Sequence, residues 1–181
     1  MYKKNILEDP FTSLFKTELF SLKYLKKNDK IVISASGGLD STVLLFLLHS
    51  INHHKVIVAH VDHALREDSI KDKMFVESLC RDLNIQFFFQ TLDPNSKHKK
   101  DSTEQWAREE RYKYLRNLAA ETNSDWIMTG HHCNDNAETI LMNLSRKAGV
   151  SGLSGIPQKN GKIIRPLLSF EKNILLDFVE R

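Results

Sequence analysis

Short apolar runs alternate with longer amphipathic stretches along most of this chain, and the alternation predicts its elements. The apolar runs are β-branched or aromatic, and they predict strands at 30–35, 56–61, 86–90, 126–129 and 163–165. The intervening stretches carry apolar residues at helical spacing and predict helices at about 41–50, 67–84, 101–122, 134–147 and 169–181. Because strands that alternate with helices of this length indicate βαβ crossovers, we expect an α/β fold with a parallel sheet of about five strands and helices on both faces.

The first 29 residues lack a strand signal and predict a helical lead-in, with Phe11, Leu14, Phe15, Leu19 and Leu22 at near-helical spacing between lysines. The later helical patterns also predict which side chains are buried. The expected buried stripes are Phe75, Val76, Leu79 and Leu83 in the helix at 67–84, and Ala137, Ile140, Leu141, Leu144 and Ala148 in the helix at 134–147.

Composition and charge place the chain among ordinary globular proteins. Hydrophobic residues make up 41% and charged residues 27%, which excludes a disordered or fibrous chain. The net charge of +3 permits contact with nucleic acid but is too small to hold a polyanion by itself at physiological salt. Cys80 and Cys133 form no CxxC pair, so a disulfide scaffold, a structural zinc site and a redox motif are not expected. With no bilayer-spanning apolar run and no secretory signal, we expect a soluble, cytoplasmic protein without a membrane partner.

Polar clusters follow three of the predicted strands, at 36–41, 60–66 and 130–138. In parallel α/β sheets, ligands bind outside the carboxyl ends of the strands, at the point where the strand order reverses. The three clusters therefore predict one shared site at that edge of the sheet.

The cluster Ser36-Gly-Gly-Leu-Asp-Ser has the composition of an anion-binding loop. Adjacent glycines allow positive φ and close backbone approach, and the amides at a helix N-terminus attract phosphate. Two hydroxyls flank the turn, and Asp40 is a candidate ligand for a Mg²⁺ that neutralises phosphate oxygens. No lysine follows the glycines, so the pattern is neither GxGxxG nor the Walker loop. A plain glycine turn between strand and helix is the alternative interpretation.

These motifs resemble those of a known family. The loop at 36–41 resembles the signature of the N-type ATP pyrophosphatases, which cleave ATP between its α and β phosphates. Three further motifs resemble those of the tRNA(Ile)-lysidine synthetase family, namely His60-Val-Asp-His-Ala-Leu-Arg, Glu104-Gln-Trp-Ala-Arg-Glu-Glu-Arg-Tyr and Gly130-His-His-Cys-Asn-Asp-Asn-Ala-Glu-Thr. The segment 149–156 and Arg165-Pro-Leu-Leu match in order as well. The resemblance covers 31–168 and implies a Rossmann-like sheet of the adenine nucleotide alpha hydrolase type.

The resemblance implies an ATP-dependent ligase that joins free L-lysine to the wobble cytidine of an isoleucine tRNA with a CAU anticodon. In that reaction ATP adenylates the cytidine, pyrophosphate leaves on the loop with Mg²⁺, and lysine displaces AMP to form lysidine. A tRNA thiolation enzyme with the same loop and a non-catalytic nucleotide-binding remnant are the alternatives.

The resemblance also implies a domain division. Residues 1–29 form the lead-in, and 30–181 form a PP-loop ATP pyrophosphatase domain that stops before the C-terminal tRNA-binding domains of the family. We therefore expect either a fragment or a shortened protein, and a homodimer is left open.

Site residues follow from the resemblance position by position. The residues expected to bind ATP are Ser36, Gly37, Gly38, Leu39, Asp40, Ser41, His60, Asp62 and Gly130, with Asp40 also the Mg²⁺ ligand. Those expected to bind lysine or cytidine, or to act in catalysis, are Arg108, Arg111, His131, His132, Asp135 and Glu138. Charge rather than the resemblance gives the residues expected to contact tRNA, which are Lys97, Lys99, Lys100 and Arg146. A solvated basic loop is the alternative for the lysines.

Spacing is compatible with these roles and also with simpler ones. Arg108 and Arg111 share a helical face and can clamp a phosphate or a base edge, but a solvated face paired with nearby glutamates is the alternative. Asp135 and Glu138 suit a substrate ammonium, although acids in a first helical turn also favour the helix dipole. The histidine pair 131–132 is more typical of a hydrogen-bonded scaffold, a phosphate donor or a proton carrier than of a metal site.

The sequence departs from the family pattern at three positions. Asn134 stands where the family has Asp, Asn136 where it has Gln, and Ala64 where it has Gly. The missing carboxylate at Asn134 leaves Asp135 and Glu138 as the acids of that segment, which weakens the expectation of metal or lysine binding there.

Overall fold

A six-stranded sheet carries the fold, and the computed structural model describes residues 6–64, 69–97, 102–145 and 154–180. The strands are β1 Lys30–Ser34, β2 Lys55–Asp62, β3 Gln86–Thr91, β4 Trp126–Thr129, β5 Lys159–Asn160 and β6 Ile163–Ile164. Their order is β3-β2-β1-β4-β6-β5, with β5 antiparallel to β6 and every other neighbouring pair parallel. The predicted α/β class is confirmed. The additional strand β5 was not predicted because its two residues are polar and exposed, so they carry no apolar pattern.

Helices connect the strands as crossovers. Their bounds are α1 Pro10–Ser21, α2 Leu39–Ile51, α3 Ser69–Asp82, α4 Thr103–Glu121, α5 Cys133–Ser145 and α6 Lys172–Glu180, and a 3-10 turn spans Pro94–Ser96. Helix α4 begins at Thr103, two residues after the predicted start at 101. Ser102 is its N-cap, because the Ser102 hydroxyl accepts a hydrogen bond from the amide of Gln105 at 3.1 Å. Helix α5 begins at Cys133, one residue before the predicted start at 134.

The sheet is covered on both faces, as expected. On one face β1 packs with α1, α2, α3 and α6, and on the other face α4 packs on the middle strands through Tyr112, Leu115 and Leu118. The lead-in is part of the larger core, since Phe11 and Phe15 are fully buried and the ring of Phe11 packs edge-on against Phe170 at 5.2 Å. Burial of such apolar surface is the main stabilising contribution to the fold.

Two predicted buried stripes are partly wrong. In α3, Val76 is buried as expected, but Phe75 is 48% exposed. In α5 no residue is buried: Ala137 is exposed, Ile140 is half-buried, and Leu141 and Leu144 are 64% and 51% exposed, while Ala148 lies outside the described residues. The physical reason is that helical periodicity identifies the apolar side of a helix but does not show what covers that side. Helix α5 contacts the rest of the described fold through its first turn, so Leu141 and Leu144 further along the helix remain exposed.

The strand order reverses between β1 and β4, because the chain moves outward from β1 to β2 and β3 before it crosses back to β4. The carboxyl ends of β1, β2 and β4 therefore lie together, and the crevice beside β1 is the expected ligand position. No helix in the described part of the chain is both long and apolar enough to cross a membrane.

Candidate functional site

The loop after β1 is a tight turn held by its own two serines. Gly37 has a φ of +88°, which favours glycine. The Ser41 hydroxyl accepts from the Ser36 amide at 3.1 Å, lies 3.2 Å from the Ser36 hydroxyl, and donates to the Gly38 carbonyl at 3.0 Å. These bonds fix the loop before any ligand binds.

Gly38 is the N-cap of α2, so the loop leads directly into a helix N-terminus. Unpaired amides and the helix dipole make this end of a helix attractive to phosphate. The loop also contains Leu39, whose half-buried side chain packs against the core and anchors the first turn of α2. This geometry is compatible with the anion-binding interpretation of the loop, which stays a prediction.

Gly130, directly after β4, lies against this first turn. A β-carbon on residue 130 would lie 2.9 Å from the Ser41 nitrogen and 3.0 Å from the carbonyl carbon and oxygen of Asp40. Backbone atoms cannot move aside cheaply, so glycine is required by close approach. The predicted ATP-binding residue Gly130 thus brings the end of β4 into contact with the loop.

A buried histidine connects two carboxylates across this contact. His132 is 3% exposed, and its Nε2 and Nδ1 lie 3.6 Å from carboxylate oxygens of Asp40 and Asp135 respectively. The Asp135 amide donates to His132 Nδ1 at 3.4 Å, and the His132 amide donates to the Asp135 carboxylate at 2.9 Å, a reciprocal cap for α5. His132 thus lies between the two carboxylates, with Nε2 facing Asp40 and Nδ1 facing Asp135.

Arg111 and an uncharged histidine line the other side of the cavity. His131 lines a cavity with Arg111 and Asp135, and its Nδ1 lies 2.8 Å from the Thr129 hydroxyl. Burial, followed by the nearby cations Arg165 and Arg111, lowers the pKa of His131 to about 4. His131 is therefore uncharged near pH 7 and can accept a proton or a hydrogen bond.

Arg165 received no role from the sequence. It is 3% exposed, donates through Nη1 to the Pro157 carbonyl at 2.7 Å, and makes no ion pair with a carboxylate among the described residues. A buried, unpaired cation beside Arg111 makes this wall of the site electropositive. The only available sequence signal was the Arg-Pro-Leu-Leu match, since an arginine alone does not reveal its burial.

The second strand end forms an adjoining cavity. His60 Nδ1 donates to the Ala35 carbonyl at 2.9 Å, so its Nε2 is an acceptor, and that atom is buried without a partner in the described structure. Asp62 accepts from the Ala64 amide at 2.8 Å. Ala64 has a φ of +51°, a conformation that favours glycine, which explains the family's glycine there. Burial lowers the pKa of His63, and Arg111 contributes in the same direction.

Two neighbouring cavities, of about 150 and 210 Å³, share Arg111 on their walls. The first is lined by Ser34, Ala35, Ser36, His60, Val61, Asp62, His63, Ala64, Ser69, Asp72 and Arg111. The second is lined by Ser34, Ser36, Asp40, Ser41, Arg111, Thr129, Gly130, His131 and Asp135. The predicted clusters thus meet at one edge of the sheet, as the topology requires.

Several predicted residues lie elsewhere. Arg108 and Glu138 are exposed and line neither cavity, so the clamp of Arg108 with Arg111 stays a prediction. Lys97 is half-buried after the 3-10 turn. Lys99, Lys100 and Arg146 lie outside the described residues.

The two asparagines that depart from the family pattern, Asn134 and Asn136, each accept a hydrogen bond from a distant backbone amide. Asn134 Oδ1 accepts from the Lys172 amide at 3.0 Å and so holds the start of α6. Asn136 Oδ1 accepts from the Ile156 amide at 2.7 Å. Each side chain thus binds a backbone amide that follows it in the chain, so the asparagine at position 134 has a structural role.

The described residues contain no group of three or more histidine, cysteine, aspartate or glutamate side chains placed to hold a metal ion. A tightly chelated structural metal therefore has no donor set in this part of the chain. A cation that keeps its waters and shares phosphate oxygens needs only one or two carboxylates, and Asp40 meets that requirement.

Comparison with known proteins points to the same region. The PP-loop domain family matches residues 5–181. The tRNA(Ile)-lysidine synthase of Clostridium perfringens is 40% identical over 163 residues, which cover 86% of this chain and 35% of that protein. The tRNA(Ile)-lysidine synthase of Chlorobaculum tepidum is 42% identical over 165 residues, covering 87% of this chain and 50% of that protein. The chain thus spans between about a third and a half of the length of these curated relatives.

Among solved structures, the U34-tRNA thiolase NcsA from Methanococcus maripaludis, described with its 4Fe-4S cluster, is similar with a TM-score of 0.80. The match covers 96% of this chain and 64% of that chain at 20% sequence identity. At this identity the likeness shows the fold.

Proposed function

This chain belongs to the PP-loop domain family, and from that premise we propose that it catalyses ATP-dependent joining of free L-lysine to the wobble cytidine of an isoleucine tRNA. The observation that carries the proposal is the contact of the 36–41 loop with the Gly130–His132–Asp135 segment at the reversal of strand order. The contact sets an anion-binding loop beside a carboxylate and a neutral imidazole. A tRNA substrate implies a cytoplasmic enzyme.

ATP binding is assigned to the loop and its two cavities. The helix N-terminus and the Ser36 and Ser41 hydroxyls suit the leaving pyrophosphate, and Arg111 adds a cation on the shared wall. The unpartnered acceptor of His60 and the carboxylate of Asp62 suit the amino and hydroxyl groups of adenosine.

The donor set fits Mg²⁺. Asp40 Oδ1 is buried with no hydrogen-bond partner in the described structure, and Asp40 lines the same cavity as both loop serines. A bound Mg²⁺ would neutralise charge on the phosphate oxygens.

The proposed reaction has two transfers. In the first, the cytidine carbonyl oxygen attacks the α-phosphorus, the bond to the β-phosphate oxygen breaks, and pyrophosphate leaves. In the second, a lysine amine attacks the activated ring carbon, the carbon–oxygen bond breaks, and AMP leaves with its electron pair. Asp135 suits the lysine ammonium, and uncharged His131 lines the same cavity, where it can accept a hydrogen bond from a substrate. The proton that the amine loses goes to solvent.

Thiolation is the weaker alternative. A 4Fe-4S cluster is usually held by four cysteines, whereas this sequence has two. Burial raises the pKa of Cys80 to about 11, so that thiol stays protonated and unreactive.

The product tests the proposal. Unmodified isoleucine tRNA would be incubated with ATP, Mg²⁺ and isotopically labelled lysine, digested to nucleosides and analysed by mass spectrometry. We expect the wobble cytidine to gain one lysine with loss of water, and an anticodon with guanosine at that position to stay unmodified. A sulfur-containing wobble nucleoside would favour thiolation, and ATP binding without any product would favour the non-catalytic remnant.

A further inference from the structure

One side of α4 carries three arginines around a single tyrosine. The guanidinium carbons of Arg108, Arg111 and Arg116 lie 5.5, 5.3 and 5.9 Å from the centroid of the Tyr112 ring. Arg111 faces the site cavities, whereas Arg108 and Arg116 are exposed. Neither exposed arginine makes an ion pair with a carboxylate among the described residues. These cations are therefore available to an external anion.

Arg116 also borders a separate groove of about 340 Å³ between α4 and the β5–β6 hairpin. Its walls are Arg116, Ala119, Ala120, Ile127, Asn160, Gly161, Lys162 and Ile163, which include two cations and no acid. The Lys162 ammonium is held at the groove by donating to the Ser124 carbonyl at 3.0 Å. Gly161 leaves open space above its backbone, since a β-carbon there would meet nothing within 4 Å.

The groove and the site cavities are bordered by two arginines of the same helix, Arg116 and Arg111, whose guanidinium groups both lie beside the Tyr112 ring. Arg108, Tyr112 and Arg116 occupy successive turns of α4, so the two arginines are separated by about 12 Å along the helix axis. Arg111 joins this row to the site cavities. The result is a row of cations along one helix, with Arg111 on the wall of the site cavities and Arg116 at a groove with an apolar floor. We call Arg108, Arg116 and Lys162 the arginine track.

We propose that the arginine track binds the phosphate backbone of the RNA whose base enters the site, which rests on the proposed function. Guanidinium groups bind phosphate oxygens in pairs, and their planar forks suit a polyanion that passes along a surface. The apolar floor of the groove offers space for a base or ribose between phosphates. RNA is favoured over an acidic peptide because Arg111, on the same helix as the track, lines the cavities in which the proposed reaction joins lysine to an RNA base.

Charge reversal with a matched control tests the track. Arg116→Glu and Lys113→Glu change the net charge equally on exposed positions of the same helix, but Lys113 pairs with Glu110 at 3.2 Å and lies outside the track. The probe is a fluorescent anticodon stem-loop with a CAU anticodon, titrated by anisotropy with the full chain at several salt concentrations. ATP binding is measured for each variant as the check on folding.

We expect R116E to weaken RNA binding about tenfold and to reduce the slope of log affinity against log salt by about 1, with K113E nearly unchanged. A second variant, R116Q/K162Q, should weaken binding without reversing charge. Equal losses in R116E and K113E, no loss in R116E, or no RNA binding by the unaltered chain would each overturn the track. Polyglutamate that competes as well as the RNA would overturn the choice of partner.

Failure of the track and failure of the proposed function give different results. Track-dependent RNA binding without any lysine transfer would refute the function and leave the track intact. Lysine transfer by R116E at the unaltered rate and RNA affinity would refute the track alone.

Discussion

Gly130 and Ser41 approach so closely that a β-carbon on residue 130 would lie 2.9 Å from the Ser41 nitrogen. The two residues belong to different crossovers, one after β4 and the other in the helix after β1. Their contact joins the anion-binding loop to the segment that carries His132 and Asp135. The site depends on this junction because the anion-binding loop lies on one segment and His132 and Asp135 lie on the other.

Replacing Gly130 with alanine should disturb the loop. The new methyl group would overlap backbone atoms of Asp40 and Ser41, and we expect a loss of about 1–3 kcal/mol in unfolding free energy together with weaker ATP binding. Urea denaturation and nucleotide titration measure the two effects. Gly38→Ser is the control for stability alone, since Gly38 belongs to the ATP-binding loop. Serine is a good N-cap, and a β-carbon there would meet only the Ser36 hydroxyl at 3.4 Å. Equal stability of G130A and the unaltered chain would show that the junction is looser than described.

Asp40→Asn should slow catalysis without disturbing the fold, because it removes the negative charge and nearly keeps the size of the side chain. Asparagine nearly matches aspartate in size, so the fold should persist, while pyrophosphate release should fall by ~10²–10³-fold because a charge at the phosphate site is lost. Circular dichroism checks the fold, and a coupled pyrophosphate assay measures the rate. Glu104→Gln is the matched control, since Glu104 is an exposed acid in the first turn of α4. Turnover by D40N close to that of E104Q would refute the role of Asp40.

Asp135→Asn should raise the lysine requirement much more than the ATP requirement. Asn can still accept the bond from the His132 amide, so the cap on α5 is retained while the charge that faces an ammonium is lost. A charge-assisted hydrogen bond contributes about 1.5–3 kcal/mol, so lysine affinity should fall by roughly ten- to a hundredfold. Steady-state kinetics with each substrate varied in turn measure this split. Glu138→Gln, on an exposed neighbour, should have a smaller effect. Weaker ATP binding with unchanged lysine affinity would contradict the assignment.

His131 should make stability depend on pH in a defined direction. Its pKa falls from an ordinary 6.5 to about 4 in the folded chain, so the unfolded chain binds more protons between those values. Its stabilising contribution is therefore complete above about pH 6.5 and is lost as the pH falls towards 4, up to about 3 kcal/mol.

The difference between the unaltered chain and His131→Asn isolates this contribution, because burial also lowers the pKa values of His54 and His63 and gives them the same sign. Unfolding free energies at several pH values should show that the difference shrinks on acidification. A difference independent of pH would mean that His131 is not held uncharged by its surroundings.

The strands and the loop could be predicted from the sequence because both depend on local patterns. β-branched and aromatic runs marked the strands. Of the paired glycines in the 36–41 loop, Gly37 adopts the positive φ that glycine allows, whereas Gly38 has an ordinary φ of −77°. Ala64 shows the limit of this approach, since its left-handed φ was visible only as a departure from a family pattern.

Features that depend on tertiary contacts were missed or misplaced. The apolar positions of α5 were expected to be buried, because periodicity does not say whether a partner is present. No role was predicted for Arg165. Its burial, and its lack of an ion pair among the described residues, arise only when β6 lies beside β4. Arg108 and Arg111 share a helical face in the sequence, yet only Arg111 lines the cavities.

The central claim is that one site couples ATP cleavage to the joining of lysine and RNA. Pyrophosphate and AMP release would be measured with the full chain and ATP, with isoleucine tRNA and lysine added separately and together. We expect pyrophosphate release to require the tRNA, and AMP release with turnover to require both tRNA and lysine, each lost in D40N. Sustained release of pyrophosphate and AMP that is indifferent to both tRNA and lysine would contradict the account.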